Sequence, residues 1–308
     1  MKIVFMGTPD FSVPALEELA KVHQVAAVVT QQDRPKGRGH KMQYTPVKEK
    51  ALELNIPVYQ PEKVKNPEFV DILREINPDV IVVIAFGQIL SKEILDLPKY
   101  GCINVHASLL PKYRGAAPIQ WAVIDGEEET GVTTMYMAEG LDTGDVIDTA
   151  VIKLDEKETG GSLFDKLAIE GGKLIVETLS KLENGTATRT PQDDEKSSYA
   201  GKITKELGQI DFTKPAVTIE RLIRGLNPWP SAYTTLDGKA MKVWDATVEE
   251  GNLTEKPGEI VEIAKHYIKV ATGENYLKIN EIQLAGKKRM PMDAFLNGYS
   301  IKENILGV

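Results

Sequence analysis

Residues 101–115, GCINVHASLLPKYRG, contain the strand end around which this chain is organised. The first residues form a short apolar run, which is typical of a buried strand. Side chains alternate between the two faces of a strand, so Asn104 and His106 are expected on the same face. Pro111 has no backbone N–H, and with the three residues before it predicts a sharp turn directly after the strand.

The pairing of an amide with an imidazole at a strand end suits chemistry on a carbonyl group. In open parallel α/β sheets, ligands bind beyond the carboxyl ends of the strands. The amide of Asn104 could donate a hydrogen bond to a developing oxyanion, and His106 carries a base that titrates near neutral pH. An isolated Asn-x-His motif is more often a buried pair satisfied by the backbone, so this interpretation depends on the rest of the chain.

Strands and helices alternate through the first part of the chain. Residues 3–6, 25–30 and 80–85 are short, continuous and β-branched, as buried strands are. Helices are predicted after Ser12, which can cap one with Pro14 in its first turn, and over residues 47–54 and 68–76. This alternation predicts a Rossmann-like α/β domain with a doubly wound parallel sheet over residues 1–189.

The second half of that domain and the remainder of the chain have different patterns. Residues 132–137 and 146–152 predict strands, and a capping box over 162–165 opens a long helix that ends at Asn184-Gly185. The polar residues 190–206 predict a linker. Short strands fill residues 207–308, with hairpin turns at Asp237-Gly238 and Thr272-Gly273, which predicts a small OB-like β-barrel.

The bulk composition is that of an ordinary globular protein. The chain has 308 residues, 42% of them hydrophobic, and a net charge of −8. The charges are unevenly distributed along the chain. Residues 1–199 carry 22 Lys and Arg against 31 Asp and Glu, and residues 200–308 carry 15 Lys and Arg against 14 Asp and Glu. The one cysteine, Cys102, the short apolar runs and the strand at the amino terminus predict a soluble cytoplasmic protein without a disulfide framework or a membrane span.

Several common site signatures are missing from the sequence. A phosphate-binding P-loop and a serine-nucleophile elbow are not found. The four histidines are scattered and no second cysteine exists, so no metal site is expected. Residues 37–42, GRGHKM, resemble half of a dinucleotide fingerprint but do not directly join a strand to a helix.

Two loops complete the set of candidates. Residues 31–43 follow the second strand and carry Arg34, Lys36, Arg38 and Lys41, which could clamp a phosphodiester backbone or form a solvated surface. The glycine-rich loop 139–145 could bring Asp142 over the sheet edge, where it would orient His106 and favour its charged form. Alternatively Asp142 bonds its own turn. The turn 227–230, NPWP, is interpreted as a structural corner.

Six stretches together resemble one family. These are MGTPDF (6–11), TQQDRPKGRG (30–39), Asn104-x-His106 with SLLP (108–111), RGAAPIQ (114–120), GLDTG (140–144) and NPWP (227–230). In this order, over the whole chain, they resemble the methionyl-tRNA formyltransferase family. The Asn-x-His…SLLP and LDTG motifs mark only the wider class of enzymes that use 10-formyltetrahydrofolate, and the basic loop and second domain narrow the resemblance.

The resemblance implies an activity and a set of site residues. It implies transfer of the formyl group of 10-formyltetrahydrofolate to the α-amine of initiator methionyl-tRNA, without a metal, a membrane or a required protein partner. Asn104, His106 and Asp142 would be catalytic. The folate pocket would be lined by Phe86, Gly87, Gln88, Ile89 and Leu90 and by Ser108, Leu109, Leu110, Pro111 and Lys112. The tRNA would contact Arg34, Lys36, Arg38, Lys41, Lys202, Lys205, Lys287, Lys288 and Arg289.

Three alternatives remain at this point. A formyltransferase acting on a small amine, such as a ribonucleotide or an amino sugar, would keep the same three catalytic residues without needing the basic loop or the barrel. A 10-formyltetrahydrofolate hydrolase would keep them with water as the acceptor. A non-catalytic RNA-binding module would not need Asn104, His106 and Asp142 to come together.

Overall fold

A computed structural model describes residues 1–36 and 41–307. The chain forms two compact units. The first comprises residues 1–118, 129–153 and 164–200, and the second comprises residues 119–128, 154–163 and 201–308. Of the predicted linker, 190–206, the residues up to Ala200 therefore pack within the first unit. Among the described residues, no helix combines the length and the apolar character needed to cross a membrane.

The first unit contains most of the helices and eleven strands. Its strands are β1 (Lys2–Gly7), β2 (Gln24–Val29), β3 (Arg34–Lys36), β4 (Lys41–Gln43), β5 (Val58–Tyr59), β6 (Val80–Ile84), β7 (Cys102–His106), β8 (Arg114–Gly115), β9 (Glu129–Tyr136), β10 (Val146–Lys153) and β11 (Tyr199–Ala200). Its helices are α1 (Val13–Val22), α2 (Pro46–Glu53), α3 (Pro67–Ile76) and α4 (Lys92–Leu95). Helix α5 (Pro118–Asp125) lies mostly in the second unit, and α6 (Gly160–Asn184) begins there and continues through the first.

Seven strands of the first unit form one sheet in the order β10-β9-β7-β6-β1-β2-β5. The five strands from β5 to β7 are parallel, which confirms the predicted α/β class. The last two are not: β9 runs antiparallel to β7, and β10 runs antiparallel to β9. Strand direction follows from the path of the connecting chain, and the apolar pattern of 132–137 and 146–152 carries no information about it.

The two faces of the sheet are buried by different helices. On one face Cys102 of β7 belongs to a core cluster with Phe69, Val70 and Leu73 of α3. On the other face Val105 lies against Gly171 of α6, where an added Cβ would be 3.1 Å from the valine. Because side chains alternate along a strand, Asn104 and His106 share the α3 face with Cys102.

Two helix starts differ in detail from the predicted caps. Ser12 precedes α1, but its hydroxyl donates to the carbonyl oxygen of Ile84 (2.7 Å) and makes no cap. Helix α6 begins at Gly160, before the predicted capping box at 162–165. The reciprocal cap instead joins Thr159 and Ser162: the amide of each donates to the hydroxyl oxygen of the other, at 2.9 and 3.0 Å.

The second unit is an antiparallel sheet consistent with the predicted small barrel. Its elements are α7 (Ala216–Gly225), β12 (Ala232–Leu236), β13 (Lys239–Glu249), β14 (Ile260–Ile263), β15 (Ile268–Ala271), β16 (Tyr276–Leu284), β17 (Met290–Pro291) and α8 (Met292–Leu296). The strand order is β12-β13-β16-β15-β14, with β17 beside β16. The C-terminal segment forms hydrogen bonds near both edges of the sheet. The amide of Leu306 donates to the carbonyl oxygen of Gly258, just before β14, and that of Gly307 donates to the carbonyl oxygen of Thr235 on β12.

Both predicted hairpin turns of this unit are found. Asp237 and Gly238 both have positive φ (49° and 70°) and form the two-residue hairpin between β12 and β13. Thr272 and Gly273 lie in the four-residue turn that connects the antiparallel strands β15 and β16, in which Asn275 has the positive φ. In the NPWP turn, Trp229 is 56% exposed.

We predict that Leu73→Ala lowers the free energy of unfolding by about 2–5 kcal/mol. The substitution leaves a cavity where the fully buried side chain of Leu73, on α3, packs against the sheet. Leu52→Ala on α2 is the matched control, since Leu52 is 49% exposed and its truncation should cost within about 0.5 kcal/mol. Denaturant unfolding followed by circular dichroism measures both. Equal losses in the two variants would contradict the core assigned here.

Candidate active site

Strand β7 brings Asn104 and His106 to the carboxyl end of the sheet. Asn104 lies opposite Val83 on β6 and Met135 on β9, and His106 lies opposite Thr133 on β9. His106 is buried, whereas Asn104 is half-buried. Among the described residues, no hydrogen bond is made by the side chain of Asn104, so its amide is available to a ligand.

The ring of His106 is oriented from both sides. Its Nε2 lies 2.8 Å from the carbonyl oxygen of Tyr113, and because a carbonyl can only accept, Nε2 carries a proton and donates. Its Nδ1 lies 3.7 Å from Oδ2 of Asp142. A second proton on the ring would therefore sit on Nδ1, facing the carboxylate. The structure thus confirms that Asp142 returns over the sheet edge to His106.

Two constraints hold Asp142 at this position. Its Oδ2 accepts a hydrogen bond of 2.9 Å from the backbone amide of Gly115. Its backbone is in the left-handed region, with φ of 54°. The loop also folds tightly at Gly144, where an added Cβ would lie 1.7 Å from the carbonyl oxygen of Tyr136. Among the described residues, the carboxylate of Asp142 accepts from Gly115 and makes no hydrogen bond to its own turn, which was the alternative that the sequence left open.

The turn after β7 is held by internal hydrogen bonds. The hydroxyl of Ser108 donates to the carbonyl oxygen of Lys112 (2.7 Å). The hydroxyl of Thr133 donates to the carbonyl oxygen of Ser108 (2.7 Å) and accepts from the amide of Leu110 (3.2 Å). Of the five residues predicted to line a folate pocket here, Ser108 and Leu110 are buried and Lys112 is exposed, with Leu109 and Pro111 between these extremes. Their role in binding stays a prediction.

The second predicted folate segment follows β6. The carbonyl oxygen of Phe86 accepts from the hydroxyl of Thr8 (3.0 Å) and from the side-chain Nε2 of Gln31 (3.2 Å). Gln88 is turned toward the neighbouring loop, where its Oε1 accepts from the amide of Val64 (2.7 Å). The set also contains Gly87, with φ of 83°, Leu90, which is buried, and Ile89, which is 87% exposed.

A cavity of about 600 Å³ lies at the amino end of β7, which begins at Cys102. Cys102 forms part of its wall, together with Met137 and Glu139 from the start of the loop that carries Asp142. Its lining carries charges of both signs, from Lys92, Lys99 and Arg189 and from Asp96 and Glu139. The segments 86–90 and 108–112 follow the carboxyl ends of β6 and β7, so they lie at the opposite end of these strands from the cavity.

The cavity cysteine is not a nucleophile. Burial raises the pKa of the Cys102 thiol to about 12, so the thiol stays protonated at neutral pH. Within the described parts of the chain, no three His, Cys, Asp or Glu side chains cluster as a metal site would require. His106 and Asp142 are therefore the candidate acid–base groups of this strand end.

A segment after α6 joins the two site loops, and the sequence analysis did not identify it. The side chain of Gln192 donates to the carbonyl oxygens of Asp142 (2.9 Å) and Gly144 (2.7 Å). Further along, the hydroxyl of Ser198 accepts from the amide of Tyr113 (2.9 Å). Strand β11 then pairs with β8. The polar composition of residues 190–200 resembled that of a linker and gave no signal for these contacts.

The basic residues predicted to contact tRNA lie in several places. Arg34 is exposed at the start of β3, which pairs with β4 and places Lys36 opposite Lys41 in the backbone ladder. Arg38 lies outside the described residues, as do the other residues of 37–40 in the half fingerprint 37–42. In the second unit, all five predicted residues are exposed; they are Lys202, Lys205, Lys287, Lys288 and Arg289. Arg289 also pairs with Glu281 and lies over the Trp244 ring, 4.6 Å from its centroid.

Comparison with known proteins identifies the family. Residues 1–179 match the formyl transferase family, and residues 202–300 match the formyl transferase C-terminal domain. This chain belongs to the formyl transferase family. It is 60% identical over 304 residues to the methionyl-tRNA formyltransferase of Agathobacter rectalis, covering 98% of each chain. It is 54% identical to that of Clostridioides difficile, covering 99% of each.

Solved structures share the fold at lower sequence identity. WlaRD, a sugar 3N-formyl transferase crystallised with dTDP and 5-N-formyl-THF, superposes with a TM-score of 0.67 at 22% identity, over 94% of this chain and 99% of its own. HypX from Aquifex aeolicus, in complex with tetrahydrofolic acid, superposes with a TM-score of 0.62 at 19% identity, over 97% of this chain and 47% of its own. The family fold therefore extends through both units of this chain.

We predict that Gly144→Ala destabilises the site loop, because the new Cβ would overlap a backbone oxygen that cannot rotate away. The expected cost is about 1–3 kcal/mol, with faster hydrogen exchange at the amides of the loop. Gly298→Ala is the control, since an added Cβ there meets no atom within 4 Å. Unchanged stability and exchange in Gly144→Ala would show that the loop is not held as described.

Proposed function

We propose that this chain transfers the formyl group of 10-formyltetrahydrofolate to the α-amine of methionyl-tRNA. The observation that carries the reaction type is the meeting of Asn104, His106 and Asp142 at one strand end, with an amide free to donate. Support for the acceptor comes from the methionyl-tRNA formyltransferases that match almost the full length of the chain. An acceptor assay that compares methionyl-tRNA with small amines tests this choice.

The free amide of Asn104 is suited to stabilise negative charge. The donor supplies a formyl group on an anilinic nitrogen, which is an activated acyl group. When an amine adds to it, charge develops on the formyl oxygen. Asn104 is half-buried, and among the described residues its side chain makes no hydrogen bond, so its Nδ2 can donate to that oxygen without first breaking one. Preorganised donors of this kind stabilise the transition state more than the ground state.

His106 and Asp142 form a proton-handling pair. Because Nε2 is committed to the carbonyl of Tyr113, the exchangeable proton belongs to Nδ1. At 3.7 Å, Nδ1 and Oδ2 are too far apart for a hydrogen bond, so a reacting group can interact with both. The charged ring can support the oxyanion or protonate the departing folate nitrogen, and Asp142 can accept the proton of the attacking amine.

The folate would bind at the carboxyl ends of β6 and β7. Residues 86–90 follow β6 and residues 108–112 follow β7, and the two strands are parallel neighbours. Both segments therefore border the strand end that carries Asn104 and His106, which would set the formyl group near the amide. The cavity beside Cys102 lies at the other end of β7 and is not assigned to the folate.

We predict that Asn104→Ala, His106→Ala and Asp142→Ala each lower turnover while folate binding and the circular dichroism spectrum stay close to those of the parent. Loss of one oxyanion donor costs roughly 100- to 1,000-fold in rate. The effects should be non-additive in double variants, because the three groups act on one reacting centre. Formyl transfer kinetics measure the loss, with the exposed His266→Ala as the control. Near-normal turnover of Asn104→Ala would refute the assignment.

The tRNA partner would be held by basic side chains of each unit. Phosphate contacts position a nucleic acid without reading its sequence, and they need exposed Lys and Arg. In the second unit the near-neutral charge of residues 200–308 repels RNA less than the acidic first 199 residues do. Lys287 and Lys288 lie in the connection between β16 and β17 and are exposed, so they are suited to such contacts.

We predict that Lys288→Ala weakens methionyl-tRNA binding and lowers the slope of log affinity against log salt concentration by about one, since one phosphate contact is lost. Folate binding should not change. Lys256→Ala, which removes an equally exposed lysine of the second unit, is the control. Filter binding at several salt concentrations gives the slopes. An unchanged slope in Lys288→Ala would remove this residue from the proposed tRNA surface.

A further inference from the structure

The segment that follows α6 makes more contacts with the site than its polar composition suggests. The hydroxyl of Thr188 donates to the carbonyl of Ile147 (3.2 Å), and Thr190 exchanges two backbone hydrogen bonds of 2.9 Å with Val146. These contacts place the next residues beside the loop that carries Asp142. Gln192 is the residue that reaches into this loop.

The orientation of the Gln192 amide follows from its partners. Nε and Nη2 of Arg114 both point at its Oε1, at 3.1 and 2.8 Å. A guanidinium can only donate, so the oxygen must face Arg114 and the nitrogen must face the loop. There Nε2 has two N–H groups and two carbonyl acceptors, those of Asp142 and Gly144. The amide is therefore satisfied on both sides.

Arg114 is in turn held in place, which makes Gln192 a fixed support. Its Nη2 also donates to Asp194 (2.7 Å), and its own amide donates to the carbonyl of Ser198 (2.9 Å). The next residue, Gly115, donates the backbone hydrogen bond that the carboxylate of Asp142 accepts. The short strand β8 therefore holds both parts of Asp142: its backbone through Gln192 and Arg114, and its carboxylate through Gly115.

We infer that Gln192 is a positioning residue for Asp142: it holds the backbone of the loop so that the carboxylate faces Nδ1 of His106. This rests on the proposed function, in which that pair handles the protons of formyl transfer. Gln192 itself does not touch the reacting atoms. Gln192 keeps Asp142, whose backbone has a positive φ, at a fixed distance from the ring of His106. Misplacement of a reacting group by about 1 Å can cost on the order of 100-fold in rate.

The substitution Gln192→Glu tests the donor function at constant shape. The carboxylate still accepts from Arg114, but it places an oxygen against two carbonyl oxygens and so pushes the loop away. Gln192→Met also removes both donors and adds no charge, so it serves if the glutamate variant fails to fold. Gln24→Glu is the matched control, because Gln24 is exposed at the amino end of β2, away from the carboxyl ends of the parallel strands.

The kinetic experiment is a double-mutant cycle in the full chain. In the parent, Gln192→Glu should lower kcat by roughly 10- to 100-fold and leave KM for both substrates within about threefold. In an Asp142→Asn background, the same substitution should change kcat by less than about twofold, since Gln192 acts only through the carboxylate. A kcat near that of the parent, or an equal loss in both backgrounds, would overturn the inference.

A measurement that does not depend on activity separates this inference from the proposed function. Hydrogen exchange at the amides of residues 142–145 should be faster in Gln192→Glu and Gln192→Met than in the parent and in Gln24→Glu. Parent protein that fails to formylate methionyl-tRNA would refute the function, and the exchange result would still decide whether Gln192 holds the loop. Unchanged exchange in both variants would refute the positioning role.

Discussion

One backbone amide, that of Gly115, sets the geometry on which the candidate site depends. It donates to the carboxylate of Asp142, a residue 27 positions later that arrives from a different strand. The short strand β8, which follows the turn after β7, supplies the amide, and the loop between β9 and β10 supplies the carboxylate. His106 is bonded to the carbonyl of Tyr113, two residues before this amide, so the ring and the carboxylate are both fixed relative to one short segment.

Such a site needs support, because Tyr113 and Asp142 lie in turns and not in a helix or a strand. Tyr113 and Asp142 have positive φ, which costs free energy unless the surroundings hold them there. The chain supplies that support from residues 188–200, through backbone pairing with β8 and β10 and through the side chains of Gln192 and Ser198. Residues 188–200 have no apolar core of their own. The hydrogen bonds to the two loops therefore order this segment and the loops together.

The sequence allowed prediction of features that depend on local periodicity. The alternation of side chains on a strand was enough to place Asn104 beside His106, and the paired glycines around Asp142 indicated a loop that could fold back. It did not allow prediction of the antiparallel direction of β9 and β10 or of the roles of Gln192 and Ser198. Those depend on which segments meet in space, and a glutamine that bonds two distant carbonyls looks the same in the sequence as one in solvent.

The fold alone does not decide which amine the enzyme uses. From the sequence alone, a small-amine formyltransferase is not expected to need the second domain. Yet WlaRD, a sugar 3N-formyl transferase, superposes over 94% of this chain, so a second domain of this fold also accompanies a sugar acceptor. The choice of acceptor must then rest on side chains rather than on architecture. The exposed lysines of this chain's second unit are suited to phosphate contacts, and two relatives that are 60% and 54% identical to it are methionyl-tRNA formyltransferases. The presence of a second domain of this fold therefore does not by itself separate the two kinds of substrate.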